Sequence, residues 1–380
     1  MMEAYLAAAA AEFEKLLREQ LERQELLEQG AAARDFSHAA HIVIGVVGGD
    51  GIGPIIVREA RRVLEKLLEA ELASGRVELR DIEGLTLENR LAQGKAVPEE
   101  VLAAIKGCDV LLKGPTTTPK GGTLESANVT LRRELDLYAN VRPVTVPEEG
   151  IDWIFFRENT EGEYALGSRG IEMPGKLTMD FKVTTDAGTR RIARAAFDYA
   201  RANGKTSVAV VTKANIMKKT DGMFTRIAHE VAAEYPEIEA EDWYIDIMTA
   251  NLVNPAVRSK FQVFLLPNLY GDIITDEAAQ IQGGVGTAGS ANIGARYAMF
   301  EAIHGSAPRK IEAGEGDYAN PASILKAAAM LLRHIAMPEK AERLEEALRI
   351  CMESERRVFV TGHRDGATAR EFTYYLLEKL

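Results

Sequence analysis

Residues 41–54, HIVIGVVGGDGIGP, decide the fold class. The first seven form a short, β-branched, nearly wholly apolar run, the pattern of a strand buried on both faces. Glycines at 48, 49, 51 and 53 and Pro54 then break the run, and a helix is predicted over about 55–70. Strand, turn and helix in that order open a parallel α/β domain. The glycine spacing is not G-x-G-x-x-G, so an ordinary Rossmann phosphate loop is disfavoured. A tight turn at which a ligand approaches the backbone fits better.

Outward from this unit, 109–113 (DVLLK), 208–212 (VAVVT) and 261–267 repeat the apolar strand pattern between helical stretches. Between 161 and 185 the pattern changes to short β-prone pieces broken by Met173-Pro174-Gly175, which predicts a hairpin or arm. From Asn320 the chain reads as helical, with Pro321 at a helix start, a run to about 334 and another to about 355. Residues 1–36 carry Phe13, Leu16, Leu17 and Leu21 at helical spacing and predict one amphipathic helix that packs on a neighbouring surface or subunit. Glu3, Glu12, Glu14 and Glu19 argue against a secretory or mitochondrial leader there.

With 380 residues, 27% of them charged and 46% hydrophobic, the chain fits a globular protein of two or three domains. No stretch approaches the roughly 20 apolar residues of a membrane span. A net charge of −11 weighs against nucleic acid as a partner. Cys108 and Cys351 have no CxxC neighbour and build no disulfide framework, so a reducing cytoplasm is expected.

Two clusters carry chemistry. In the first, 113–118 (KGPTTT) leads through a Gly121-Gly122 turn to Ser126, Asn128 and Arg132 at the opening of a helix. Ser126 there reads as an N-cap and Arg132 as a solvated side chain on composition alone. Against that, Arg132, Arg142 and Arg157 supply three planar forks shaped for carboxylates. In the second, 268–276 (NLYGDIITD) puts Asp272 and Asp276 at i and i+4 on one helix face. Such a pair suits a hard divalent cation, Mg²⁺ or Mn²⁺, or simply two acids favoured by a helix N-terminus.

Taken together, GDGIGP, KGPTTTP, SANVTLRRELDLYANVRPV, RENTEGEY, KANIMKKTDGMF, NLYGDIITDEAAQIQGG, GSANIG and FEAIHGSAP resemble the β-decarboxylating dehydrogenases of isocitrate and 3-isopropylmalate, in family order from about 41 to 372. The resemblance implies that family's α/β fold, distinct from the Rossmann domain. Its large cofactor-binding domain would comprise 41–137 and 283–380. A small dimerisation and substrate domain would comprise 138–282, with a β-arm or clasp at 162–185, and 1–36 would remain as a helical extension.

Within the family, the polar pair Ser126 and Asn128 implies isocitrate, with homoisocitrate or 3-isopropylmalate as alternatives. Arg132, Arg142 and Arg157 are implied as holders of the substrate carboxylates. Tyr164 and Lys213, the latter reaching in from the partner subunit, would carry protons, with Asn215 beside Lys213. Asp272 and Asp276 would bind Mg²⁺ or Mn²⁺, and Asp246 would complete that site across a homodimer with shared active sites. Lys213 would need its pKa lowered by cationic neighbours and burial. The N-terminal helix would support a tetramer. Retention of Tyr164, Lys213, Asp246, Asp272 and Asp276 counts against a regulatory, non-catalytic subunit.

For the dinucleotide, the resemblance implies Thr118, Glu301, His304, Gly305, Arg309, Lys310 and Asn320. Arg309-Lys310 follows Pro308, where NAD enzymes of the family usually have Asp-Ile and NADP enzymes Lys-Tyr. The loop to Asn320 is about three residues longer than usual. NAD is favoured, with NADP as the alternative, because LDLYANVRP and RENTEGEY resemble the NAD type and 360–366 lacks a clear second phosphate-binding pair.

Overall fold

A computed structural model of the chain describes every residue except 1, 31–32, 120–123, 168, 285 and 287, so the Gly121-Gly122 turn lies outside the described residues. In chain order the elements are α1 (Met2–Glu28), β1 (Ile42–Val47), α2 (Gly53–Leu67), α3 (Glu69–Ala73), β2 (Val77–Ile82), α4 (Leu87–Gln93), α5 (Glu99–Lys106), β3 (Val110–Lys113), α6 (Ala127–Glu134) and β4 (Ala139–Val146). There follow β5 (Ile151–Glu158), β6 (Ile171–Met173), β7 (Leu177–Met179), α7 (Asp186–Ala202), β8 (Ser207–Thr212), α8 (Thr220–Ala232), β9 (Glu239–Tyr244), α9 (Ile245–Leu252), β10 (Val263–Leu266) and α10 (Asn268–Ile281). The chain ends with β11 (Gly289–Ile293), β12 (Ala298–Ala302), α11 (Pro308–Glu312), α12 (Ala322–His334), α13 (Pro338–Arg349) and α14 (Ala369–Leu377). Two compact units result, one of Met1–Ala32, Tyr138–Asn140 and Val144–Ala278, the other of Ala33–Leu137, Val141–Pro143 and Ala279–Leu380.

In the unit that contains β1, the strand order is β2-β1-β3-β12-β11. The first three and β12 run parallel, and β11 pairs antiparallel with β12. The apolar run at β1 serves two cores. Ile42, Ile44 and Val46 join Ile56, Val63, Leu64 and Leu331 on one side. Val43 and Val47 join Ile105, Leu111 and Leu131 on the other. Helices cover both faces, so alternation of polar and apolar residues is absent.

The glycine turn after β1 is closely packed against other loops of its unit. Gly51 has φ +58, and a Cβ on it would stand 2.0 Å from the Ser306 carbonyl oxygen. Ile52 N–H donates to that same oxygen at 3.0 Å, and Asp50 N–H donates to Pro115 O at 2.8 Å. The Asp50 carboxylate accepts from Leu87 N–H at 2.7 Å and Thr117 N–H at 2.8 Å. The turn thus approaches the protein's own 115–117 and 306 loops closely and fastens them together.

His334, at the end of α12, sits with its ring 5.5 Å from those of Phe36 and Phe300. Burial pushes its pKa down to about 4 from 6.5. The unfolded chain thus binds a proton below 6.5 that the folded chain refuses until about 4, so stability falls as pH drops across that window. Replacing His334 by Phe is expected to flatten this slope, by on the order of 2 kcal/mol between pH 7 and pH 4.5. Urea unfolding of both proteins at several pH values checks it, and parallel slopes would refute it.

In the other unit the strand order is β5-β10-β8-β9, all parallel. Its core is aromatic: Phe155 stacks on Phe264 at 4.3 Å, and Trp153 meets both rings edge-on. The predicted arm contains β6 and β7, paired antiparallel across 174–176. Helix α1 packs on α7 and β6. Of its four expected apolar positions only Leu16 is buried within this chain, while Phe13, Leu17 and Leu21 are 47%, 47% and 57% exposed. No helix among the described residues is long and apolar enough to cross a membrane.

Candidate active site

Arg157, one residue from the end of β5, is wholly buried. Its Nε donates to Asn268 O at 2.9 Å and to Asn268 Oδ1 at 3.1 Å, and Nη2 donates to the same Oδ1 at 2.6 Å. Its Nη1 reaches Asp272 Oδ1 at 2.5 Å. Gly271 makes this possible, because a Cβ there would lie 2.5 Å from Arg157 Cγ. Tyr164 donates its hydroxyl to the second oxygen, Asp272 Oδ2, at 3.0 Å, and the Arg157 guanidinium stands 5.5 Å from its ring centroid. Three residues expected in the site, Arg157, Tyr164 and Asp272, are thus in direct contact.

Asp276 is exposed one helical turn beyond Asp272 on α10. Their carboxylates offer oxygen donors of the kind a hard dication prefers. Among the described residues, however, no group of three His, Cys, Asp or Glu side chains gathers to hold a metal. The third expected ligand, Asp246 in the first turn of α9, is 67% exposed and paired with Lys213 at 2.7 Å. One chain therefore supplies two of the three expected ligands as neighbours on one helix, which fits part of a metal shell.

Lys213 follows β8, and its N–H donates to Asp221 Oδ2 at 2.8 Å. Asp221 is itself buried and held by Lys182 at 2.6 Å. The Lys213 ammonium itself bonds the Asp246 carboxylate, where cationic neighbours were expected. That bond holds Asp246 below the ordinary carboxylate range. Asn215 lies exposed two residues further on.

The other unit carries the remaining expected residues. Parallel pairing of β3 with β12 sets Lys113 beside Glu301. Lys113 Nζ donates to Glu301 Oε2 at 3.1 Å, Asn292 Nδ2 to Oε1 at 2.9 Å, and Arg132 Nη2 approaches Oε1 at 3.5 Å. Burial alone would raise the Glu301 pKa, but the charges of Lys113 and Arg132 outweigh it and hold it at about 2. Glu301, expected at the dinucleotide, spends its carboxylate on these three donors. Arg132 is 9% exposed, and its Nε has no hydrogen-bond partner among the described residues.

Ser126 occupies the N-cap position of α6, yet its side chain makes no capping bond. Asn128 Oδ1 accepts from Thr116 Oγ1 at 3.1 Å. Arg142 is buried in β4. Thr118 is exposed, one residue past Thr117, whose hydroxyl meets that of Ser306 at 2.6 Å. His304 follows β12 with Nδ1 3.1 Å from Gly305 O, and burial lowers its pKa. A Cβ on Gly305 would meet nothing within 4 Å. Asn320 Oδ1 accepts from Ala322 N–H at 2.9 Å at the start of α12.

Arg309 is exposed on α11, whereas Lys310 Nζ donates to the Gly362 carbonyl. Arg364 donates to Ala313 O at 3.0 Å, and His363 Nδ1 lies 3.0 Å from Glu315 Oε2. These bonds tie the long 308–320 loop to 359–366. Lys113, Asn268 and Lys182 build the site, and sequence reasoning gave none of them a role of its own. A usable signal existed for the first, since a Lys at the end of the strand VLLK and a Glu inside the strand AMFEA need each other once buried.

Residues 43–372 match the model of a family described as isocitrate/isopropylmalate dehydrogenase. A protein of Rickettsia prowazekii (strain Madrid E) named isocitrate dehydrogenase (NADP) is 41% identical over 319 residues, covering 81% of this chain and 63% of its own length. This chain thus spans about three-fifths of that relative. A Caenorhabditis elegans protein named probable isocitrate dehydrogenase (NAD) subunit alpha, mitochondrial, is 38% identical over 314 residues, covering 80% of this chain and 83% of its own. The crystal structure of isocitrate dehydrogenase from Methylococcus capsulatus superposes with a TM-score of 0.79 at 35% identity, covering 89% of this chain and 99% of that one. The chain belongs to the isocitrate/isopropylmalate dehydrogenase family.

Proposed function

We propose that the chain oxidises isocitrate to 2-oxoglutarate and carbon dioxide with NAD. The observation that carries this reading is the convergence of Tyr164 and Arg157 on one carboxylate, Asp272, that begins an i, i+4 acidic pair. A phenol that can deliver a proton, a cation for an anionic substrate and a donor set for a dication then share one locus. Ser126, whose hydroxyl does not cap its helix, and the amide of Asn128 support a substrate with an additional polar group. The relatives that bear the isocitrate dehydrogenase name support the same substrate.

Arg132, Arg142 and Arg157 are assigned to the substrate carboxylates, where forked donors add geometric selection to charge. Lys213 of a second copy of this chain takes the proton of the 2-hydroxyl, and Tyr164 returns one to the carbon that loses carbon dioxide. Asp272 and Asp276, with Asp246 of a second copy of this chain, would hold Mg²⁺ or Mn²⁺, which supplies Lewis acidity at the substrate oxygens. The dinucleotide, which accepts the hydride, is assigned to Thr118, Glu301, His304, Gly305, Arg309, Lys310 and Asn320, with Glu301 acting through Lys113 and Arg132. NAD is favoured because two cations of this region, Lys310 and Arg364, donate to the carbonyls of Gly362 and Ala313, and because LDLYANVRP and RENTEGEY resemble the NAD type.

The test is a steady-state assay with Mn²⁺, each acid and each nucleotide. Isocitrate with NAD is expected to give a kcat/KM at least about tenfold above any other pairing. Faster turnover of 3-isopropylmalate or homoisocitrate would overturn the substrate, and a large preference for NADP would overturn the nucleotide.

A further inference from the structure

Helix α1 lies outside the 43–372 family match, yet within its own unit it meets the segment that carries Tyr164. Leu16 is buried, Phe13 stands 5.6 Å from the Phe181 ring, and Glu19 pairs with Arg169. The contact of most consequence is made by Arg23. Its Nη1 donates to Glu161 Oε1 at 2.9 Å and its Nη2 to Thr160 Oγ1 at 3.1 Å.

Glu161 and Glu158 are both buried, three residues apart, which is an expensive arrangement for two carboxyls. Burial and the charge of Glu161 raise Glu158 to about 7. Around the pair stand the N–H groups of Thr160 and Glu161, which bond Glu158, and the N–H and hydroxyl of Thr185, which bond Glu161. Arg191 of α7 donates to Thr160 Oγ1 at 3.1 Å. Arg23 is the positive charge that arrives from α1.

From this seat an unbroken series of bonds leads to the candidate site. Asn268 Nδ2 donates to Glu161 O at 3.1 Å. Asn268 Oδ1 accepts from Arg157, whose Nη1 bonds Asp272, which accepts from Tyr164. We infer that Arg23 is a positioning residue for Tyr164 and Asp272, holding Glu161 and hence the 158–164 segment against Asn268 and Arg157. The importance of those two residues rests on the proposed function, but the tether itself does not.

The experiment uses full-length Arg23→Met, Arg23→Lys and the double variant Arg23→Met/Glu161→Gln. With isocitrate, Arg23→Met is expected to lower kcat about tenfold with KM changed less than about twofold, since the reacting groups shift while the other carboxylate holders stay. Amide exchange of 158–164 and 268–272 should accelerate with it. Lys should restore most of both, and so should the double variant, because the neutral amide has no charge to be compensated yet can still bond Thr185. Unchanged exchange and kcat in Arg23→Met would overturn the inference, as would a loss spread evenly over the unit or one that neither companion variant repairs. Should the unmodified protein fail to oxidise isocitrate, the proposed function falls, and the exchange measurements still decide the tether.

Discussion

Asp272→Asn is expected to lower kcat/KM for isocitrate by about a thousandfold, the scale seen when a preorganised charged group at a reacting centre is neutralised. The carboxylate accepts from two donors and is proposed as a metal ligand, and the amide can serve only one of these three roles. Its Oδ1 accepts from a wholly buried guanidinium at 2.5 Å and its Oδ2 from the Tyr164 hydroxyl at 3.0 Å. The amide must turn an N–H toward one of these donors. It would also bring no charge to the dication that Asp272 and Asp276 are proposed to hold. The fold should survive, because Arg157 keeps its three bonds to Asn268 and the Asp272 side chain is 41% exposed. Kinetics, Mn²⁺ titration and a urea unfolding curve separate these effects. Activity within tenfold of the unmodified protein, or Mn²⁺ affinity left intact, would remove Asp272 from the centre of the site.

The elements around β1 were legible because local sequence states them: a β-branched run, a glycine break, and Pro54 in the first turn of the helix, where its missing N–H is no loss. The same holds for the Met173-Pro174-Gly175 break of the arm. Residues that bond across long separations were not legible as pairs. Arg157 finds Asp272 115 residues away, and Lys113 finds Glu301 188 residues away, through strand order and register that no local pattern encodes. Which apolar side chain of α1 is buried within the chain was not legible for a related reason. The four apolar positions are equivalent in a helical projection, and only the narrow contact with α7 and β6 selects Leu16. The glycines of the turn state that a backbone is approached closely, and only the fold shows that the Ser306 carbonyl is what approaches Gly51. Arg23 gave no signal at all, since a basic residue on an amphipathic helix ordinarily faces water.

Among substitutions away from the reacting groups, Glu301→Ala should cost the most stability, about 3–5 kcal/mol, the range for removing one partner of a buried ion pair. Lys113 has no exposed surface, and without Glu301 its ammonium keeps only the carbonyl of Gly114 as a described acceptor. Asn292 and Arg132 lose their shared acceptor at the same stroke. The double variant Lys113→Met/Glu301→Leu should lose clearly less than the two single changes added together, because it abolishes the uncompensated charge as well as the pair. The acid limb gives an independent reading. Glu301 moves from 4.5 in the unfolded chain to about 2 in the folded one, so its contribution is complete above 4.5 and fades as pH falls toward 2. The variant should therefore lose less stability than the unmodified protein over that interval. If urea midpoints show Glu301→Ala within about 1 kcal/mol at pH 7 and an unchanged acid limb, then Lys113 is satisfied by something other than this carboxylate. Arg132 would then owe its position to α6 alone, and the KM for isocitrate should be as indifferent to the substitution as the stability.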